Sequence, residues 1–244
     1  MKTIAFVVCI VCLLSNNLEG KNLPAHNELW SRIYISHKFT TKIRGEAEYQ
    51  YRWQNTPDGT LPTWKLLQGA RAWGYYQINP IWTVGLSPFA WFRSYPLLNT
   101  ESDFQKRSVT ELRFTAGGEW KKPIAVFELK ARVNYESRSF NTDGNEEWTR
   151  KDRIRGRAVV TLPLVNLDSS NKDISFFVAD EYFYQGENGF TESGAFDQNR
   201  ISAGIVWKLN KSLKFDLIYM DILRNNSAGD YIEKVLWISS TLYL

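Results

Sequence analysis

The sequence predicts an all-β protein, a single antiparallel up-and-down transmembrane β-barrel. Apolar and charged residues alternate with a period of two along most of the chain, and no helical period competes with them. The alternating segments are longer than the roughly 5–6 residues usual for strands of soluble sheets. Short turns alternate with longer polar loops, as in membrane barrels. Because no linker or shift in composition divides the chain, we expect one domain.

The N-terminal residues predict a secretory signal peptide. Lys2 precedes an apolar run from Ile4 to Leu14, and small and polar residues follow, which is the order found in signal peptides. The run is too short to span a bilayer, which requires about 20 apolar residues. We therefore expect cleavage near Gly20, so that residues 1–20 are removed and residues 21–244 form the barrel domain.

The composition excludes several classes of function. Both cysteines, Cys9 and Cys12, lie in the apolar run, so a chain cleaved near Gly20 has no disulfide and no thiolate metal site. Acylation at Cys12 is the alternative, and Val11 disfavours it because a small residue is expected there. The formal net charge of +4 is too small to imply binding to nucleic acid. Since no phosphate-binding glycine loop, zinc-type histidine cluster or calcium loop appears in the sequence, we predict no cofactor and no metal.

The segment 42–54 shows the alternation most clearly. Its charged residues occupy one face of the predicted strand and its apolar residues the other. The same pattern returns at 124–140 and at 196–209. The apolar face of the first segment consists of Ile43, Gly45, Ala47, Tyr49, Tyr51 and Trp53.

The number of strands follows from applying this rule to the whole chain. The segments number eleven, at 29–38, 41–54, 63–78, 81–94, 104–120, 124–140, 147–162, 174–186, 196–208, 213–224 and 231–244. Because single-chain bacterial barrels have an even number of strands, we predict about 12, with about 10 as the alternative. The missing strand is expected in 22–29 or in 163–173, a connection that is long where a short turn is due. Short turns are expected at 37–41, 79–80, 121–123 and 210–212.

Two features favour lipid as the partner of the apolar face. A membrane strand requires about 9–11 residues to cross the hydrocarbon, and the long segments supply them. Aromatic residues gather near segment ends, as at Trp30, Trp53 and Trp82, where an interfacial girdle is expected. The alternative is that aromatic residues are simply good strand formers. Together with the signal peptide, these features predict a location in the bacterial outer membrane.

Three stretches of the chain resemble a known family. They are NELWSRIYISHKFTTKIRGEAEYQYRW (27–53), FFVADEYFYQ (176–185) and FDQNRISAGIVWKLNKSLKFDLIYM (196–220). The resemblance is to the exported Bacteroidota proteins catalogued as domain of unknown function 2490, a presumed family of outer-membrane barrels. It implies location and architecture, and it supplies no catalytic or ligand-binding residues. The chain departs from the usual barrel ending, because it ends in Tyr243 and Leu244 instead of a terminal aromatic residue.

If the apolar face meets lipid, the charged face lines the lumen, because a charge facing lipid at the midplane costs about 2–4 kcal/mol. We call the charged residues of this face the charge ladder, and two interpretations of it stay open. Oppositely charged residues pair across strands and fill a narrow interior, or a basic stretch on 147–162 forms a constriction that favours anions. Of the adjacent Asp180 and Glu181, the one that faces inward is expected to neutralise an arginine such as Arg157 or Arg200. The ladder consists of Arg44, Glu46, Glu48, Arg52, Glu128, Lys130, Arg132, Glu136, Arg138, Lys151, Arg153, Arg155, Arg157 and Arg200.

Three functions remain open from sequence. The first is a small porin-like channel or transport-related barrel with a charged lumen; the others are a membrane-embedded lipid-modifying enzyme and a plugged structural or binding barrel. An enzyme is disfavoured because His26 and His37 are the only histidines, and Ser36 and His37 must point to opposite faces of a strand. No catalytic residues are predicted. The expected partners are outer-membrane lipid, the barrel-assembly machinery during biogenesis, and small anionic solutes.

Overall fold

The computed structural model describes residues 25–168, 172–187, 195–224 and 231–244. The predicted signal peptide, residues 1–20, lies outside them. The described residues form eleven strands and one short 3₁₀ helix, Glu101–Gln105. The strands are β1 Ala25–Lys38, β2 Ile43–Gln54, β3 Trp64–Gln77, β4 Trp82–Ser94, β5 Val109–Ile124, β6 Phe127–Thr142, β7 Thr149–Asp168, β8 Lys172–Glu187, β9 Ala195–Lys208, β10 Leu213–Arg224 and β11 Tyr231–Tyr243.

The strands close into one barrel in which each strand pairs with its neighbours in sequence and β1 pairs with β11. All pairs of consecutive strands are antiparallel, whereas β1 and β11 are parallel, with Ile35 opposite Leu242. The predicted barrel is confirmed, with eleven strands where about twelve, or ten as the alternative, were predicted. The parallel β1–β11 pair is the one departure from the predicted antiparallel arrangement among the described strands. An odd number closes because a parallel pair joins the first and last strands, so the expected parity does not apply.

The two ends of the barrel differ in their connections. Turns of two to four residues join β1 to β2, β3 to β4 and β5 to β6 at one end, which we call the short-turn end. Longer connections join β2 to β3, β4 to β5 and β6 to β7 at the other, which we call the long-loop end. Since β1 and β11 run in the same direction, residue 25 lies at the long-loop end and residue 244 at the short-turn end.

Three expected boundaries are corrected. The expected connection 163–173 is mostly strand, because β7 reaches Asp168 and β8 begins at Lys172; register shifts after Pro163 and Asn166 obscured the alternation there. The turn expected at 121–123 lies within a strand, and the chain reverses at Ala125, whose positive φ of 52° suits a tight hairpin. β5 begins later than expected because the residues before it form the 3₁₀ helix.

The two faces of the sheet have opposite chemistry. Apolar side chains on the outer face are exposed, as shown by Ile33 (54%), Val133 (60%) and Leu217 (51%), so the outer face suits a hydrocarbon environment. Polar side chains on the inner face are buried, including Glu136. Trp30, expected in an interfacial girdle, instead points into the lumen and is buried. Among the described residues, no helix is long and apolar enough to cross a membrane.

Candidate functional site in the barrel lumen

The long-loop half of the lumen is filled by side chains, which we call the closing layer. Its aromatic members come from three separate strands: Trp30 on β1, Phe92 on β4 and Phe183 on β8, each at most 1% exposed. Arginines cover these rings. The guanidinium carbon of Arg52 lies 3.6 Å from the centroid of Trp30, and that of Arg113 lies 4.5 Å from the centroid of Phe92. At these distances the guanidinium groups form favourable cation–π interactions with the rings.

Carboxylates bind the arginines of the closing layer to one another. Glu136 on β6 is fully buried and forms ion pairs with Arg153 at 2.6 Å, Arg155 at 3.3 Å and Arg113 at 3.6 Å. Glu181 on β8 adds a second centre. Because each acid contacts bases from more than one strand, the network joins the inner faces of strands β5 to β9. The ion pairs of Glu181 are with Arg132, Arg155 and Arg200.

The β4–β5 loop, residues 95–108, covers the closing layer at the long-loop end. Gln54 on β2 is fully buried beneath it. Its amide nitrogen donates to the carbonyl of Pro96 at 2.7 Å, and its amide oxygen accepts from the backbone N–H of Leu98 at 3.0 Å. Leu98 is itself buried. One glutamine side chain therefore fixes the position of this loop over the barrel.

The short-turn half of the lumen contains a cavity of about 680 Å³, which we call the vestibule. Turn residues such as Thr40 and Pro80 line it, so it opens at the short-turn end. Its volume falls in the range of about 300–1,000 Å³ typical of small-molecule sites. Its charged lining consists of eight basic residues, Lys38, Lys42, Arg44, Lys121, Lys130, Arg132, Arg157 and Lys214, and three acidic residues, Glu46, Glu119 and Asp216.

The acids of the vestibule are each paired with a base. Glu46 contacts Arg44 at 3.8 Å, Glu119 contacts Lys130 at 3.6 Å, and Asp216 contacts Lys214 at 3.1 Å. Arg157 differs from these bases. Its register partner is Glu181, which forms its ion pairs with other arginines. Within the described ranges, no ion pair includes Arg157.

The vestibule also has an apolar wall. Phe177 and Ile218 form a buried cluster with Ala179, and Val159, Val206 and Trp237 pack against it, half-buried. Phe177 fits here because Gly204 lies opposite it in the register. A Cβ on Gly204 would lie 2.9 Å from the Phe177 ring and 2.6 Å from the carbonyl oxygen of Leu217. This glycine therefore makes space for the ring at the base of the wall.

All fourteen residues of the predicted charge ladder lie on the face of the sheet that carries the buried Glu136. They do not form one continuous lining. Arg153 and Arg155 belong to the closing layer, whereas Arg157 lines the vestibule. Their effect on ion selectivity stays a prediction. The closing layer also contains Glu48, Arg52, Glu136, Arg138 and Arg200. The vestibule is also lined by Arg44, Glu46, Lys130 and Arg132. Lys151 lies near the long-loop end, and Glu128 pairs with Lys121 near the short-turn end.

Sequence reasoning missed the aromatic side chains inside the barrel. Trp30 and Phe183 occupy positions that alternation assigns to the inner face, so alternation alone could have placed both rings in the lumen. Glu181 also takes an inner position and pairs with Arg200 as expected, whereas Arg157, the other expected partner, does not form an ion pair with it. Asp180 faces outward and accepts a hydrogen bond from Asn199 at 2.6 Å. The partners of each arginine depend on contacts between distant strands, which alternation does not reveal.

The histidines do not form a catalytic site with the adjacent serine. Ser36 is buried on the inner face, whereas His37 is exposed and contacts the ring of Phe39. His26 is buried and lies 3.1 Å from the amide oxygen of Gln54. Within the described residues, no group of three or more His, Cys, Asp or Glu side chains is placed to hold a metal ion.

Together, the closed sheet, the apolar outer face and the charged interior define an outer-membrane β-barrel. The chain belongs to the family described as protein of unknown function (DUF2490), whose model matches residues 27–233. This confirms the resemblance found in the sequence. No curated protein matches the chain.

The solved structures that the chain resembles include three bacterial outer-membrane proteins of low sequence identity. The β domain of the Bordetella autotransporter BrkA is 10% identical, with a TM-score of 0.48; the match covers 86% of this chain and 95% of that one. The outer membrane protein OmpT of Vibrio cholerae is 13% identical (TM-score 0.37; 79% and 59% covered). An anion-selective porin from Comamonas acidovorans is 12% identical (TM-score 0.31; 80% and 52% covered). Similarity at this level does not bear on what this barrel binds or transports.

Proposed function

We propose that this protein is an outer-membrane barrel that binds small anions in its vestibule, with the lumen closed at the long-loop half. The vestibule lining contains eight basic and three acidic residues. Two acids outside the lining, Glu128 and Glu181, pair with Lys121 and Arg132, and the remaining excess of three basic residues carries the proposal. A low-dielectric wall strengthens the field of these charges and concentrates anions at the site. If the short turns face the periplasm, as in other bacterial barrels, the vestibule receives its ligand from that side.

A gated anion channel is the second candidate. One observation favours it: inward basic residues continue along β7 from Arg157 in the vestibule through Arg155 and Arg153 to Lys151 near the long-loop end. The closing layer consists of side chains, so rearranged ion pairs would open this path. The buried aromatic rings and their arginines favour the closed barrel as the resting form.

Cysteine modification tests the vestibule. Thr161 lines the vestibule, and a mature chain cleaved near Gly20 has no other cysteine, so Thr161→Cys supplies a single thiol. We expect an anionic methanethiosulfonate to react faster than a cationic one, and we expect phosphate to slow the anionic reaction. Ser212→Cys, on an exposed turn at the same end, is the control. Equal rates for both reagents, with no effect of phosphate, would refute anion binding.

Planar-bilayer recording separates the two candidates. A closed barrel should insert without stable conductance steps. Steps with anion selectivity under a salt gradient, weakened when Lys151, Arg153, Arg155 and Arg157 are replaced by glutamine, would establish the channel instead. Arg150→Gln, which removes a charge from the outer face, is the matched control for nonspecific effects of charge.

A further inference from the structure

The vestibule joins two chemically different walls. Most of the basic residues line the sector from the β1–β2 turn to β7, where Arg44, Lys130 and Arg157 lie, whereas Lys214 lies on β10 and pairs there with Asp216. The apolar cluster lines the sector from β7 to β11, with Val159, Phe177 and the strands beyond them. A purely ionic ligand would use only the first wall. The second wall presents half-buried apolar side chains to the same cavity, so it requires a separate explanation.

We infer that the vestibule binds a single-chain anionic amphiphile, with its carboxylate or phosphate group on the basic wall and its alkyl chain against the apolar wall. This inference rests on the proposed anion site and specifies its ligand. The two walls meet on β7, where Arg157 and Val159 are neighbouring inward positions. A head group at Arg157 therefore places the first methylenes beside Val159.

The head-group site has unused hydrogen-bonding capacity. Arg157 has no ion-pair partner among the described residues. Two further bases on the adjacent strand, Lys130 and Arg132, face the same cavity. Asn134 lines the cavity and is 3% exposed, and its amide nitrogen has no hydrogen-bond acceptor within the part of the chain that the structure describes. A bound oxyanion would satisfy both groups, because guanidinium and amide N–H groups donate to such oxygens.

The apolar wall, which would hold the alkyl chain, is only partly buried. Val206 and Trp237 are half-buried, and they pack on the buried Phe177 and Ile218. An alkyl chain laid across them would complete their burial and remove its own methylenes from water. Burial of each methylene tightens binding roughly three- to fourfold, so affinity should rise with chain length until the cavity is filled.

A chain-length series measures this directly. The mature protein is placed in nanodiscs of zwitterionic phosphatidylcholine, and binding is followed by equilibrium dialysis with empty nanodiscs as the blank. The probes are alkyl carboxylates and monoalkyl phosphates from butyl to decyl, the matching neutral alcohols, and inorganic phosphate. We expect saturable binding of both anion series, with a dissociation constant that falls roughly threefold per methylene, and none of the alcohols. The two series show which head group is preferred.

Variants assign the two walls. Arg157→Gln should weaken anion binding about tenfold at every chain length, as expected for the loss of a charge-assisted hydrogen bond, without changing the slope. Val159→Thr combined with Val206→Thr keeps the side-chain shape and should flatten the slope. Arg150→Gln and Val133→Thr, both on the outer face, should change neither quantity. The slope is measured on the unsubstituted chain, so it does not depend on whether a variant folds.

Three results would overturn the inference. Anion binding that does not depend on chain length and is weakened by Arg157→Gln would leave the anion site intact and reject the amphiphile. Equal binding of anions and alcohols, matching the empty nanodiscs, would indicate partition into lipid and also reject it. No binding of any anion, inorganic phosphate included, would reject the proposed function together with this inference.

Discussion

The guanidinium of Arg153 donates two hydrogen bonds to one carboxylate oxygen of Glu136, with distances of 2.8 Å from Nε and 2.6 Å from Nη2. Both side chains are buried. The other oxygen of Glu136 lies 3.3 Å from Arg155. One buried carboxylate therefore stabilises several inward guanidinium groups, and we expect the closing layer to depend on it.

Glu136→Gln should destabilise the barrel strongly. Removing one partner of a buried ion pair typically costs about 3–5 kcal/mol, because the remaining charges stay buried without compensation. Urea unfolding of the refolded protein, followed by tryptophan fluorescence, measures the change in the free energy of unfolding. Glu128→Gln removes a half-exposed acid paired with Lys121 and should cost about 0–1 kcal/mol. Equal losses for the two variants would contradict the central role of Glu136.

Gln54→Ala should release the β4–β5 loop. The substitution removes hydrogen bonds to Pro96 and Leu98 and leaves buried backbone groups unpaired, at a cost of about 1–3 kcal/mol. Trypsin cleavage after Lys106 and Arg107 should accelerate roughly tenfold as the loop opens more often. Asn210→Ala, which disrupts a turn at the opposite end of the barrel, should leave this cleavage unchanged. Similar acceleration in both variants would indicate general destabilisation.

Gly204→Ala should impair folding, and Gly156→Ala should not. A Cβ at position 204 meets the Phe177 ring and a backbone carbonyl, whereas a Cβ at position 156 meets nothing within 4 Å. Overpacking of this kind costs about 1–3 kcal/mol. The urea midpoints of the two variants give the comparison, and the prediction fails if Gly204→Ala unfolds at the midpoint of the unsubstituted protein.

A disulfide should form between β1 and β11 in the double variant Ile35→Cys and Leu242→Cys. These residues are register partners across the parallel pair, and disulfide formation requires Cα atoms about 4.4–6.8 Å apart. Pairing Ile35→Cys with Ile238→Cys, displaced along the strand, should give little cross-link. Oxidation followed by mass spectrometry measures both. If a twelfth strand separated β1 from β11, the sites would lie about 9–10 Å apart and neither pair would link.

The 3₁₀ helix should respond to acid through Asp103. A hydrogen bond from Lys106 and hydrogen bonds from Thr100 and Asn99 lower the pKa of this carboxyl well below its usual range. A lowered pKa in the folded state stabilises the loop above the ordinary pKa of about 4, and this contribution is lost as the pH falls through that value towards the folded one. Hydrogen exchange of the Asn99 and Thr100 amides, corrected for intrinsic rates, should lose protection on acidification. Asp103→Asn should show no such pH dependence.

Most of the strand pattern was predictable from the sequence. The side-chain period of two is a local property, because adjacent residues of a strand point to opposite faces whatever their partners are. For this reason the eleven segments, the apolar outer face of 42–54 and the inward position of Glu136 follow from the chain alone. The errors at 121–123 and 163–173 arose where Pro123, Pro163 and register shifts interrupt the alternation.

Alternation in the sequence is enough to locate most of the strands and to place the charge ladder on the inner face, but the expected aromatic girdle misassigned Trp30, which lies in the lumen. The parallel pairing of β1 with β11, the contact of Arg153 with Glu136 and the position of Arg157 in the vestibule follow only from the assembled barrel. The reason is that closure and register set the height of each residue along the barrel axis, and these depend on pairing between distant strands. Residues with identical alternation can therefore lie in the closing layer or in an open cavity.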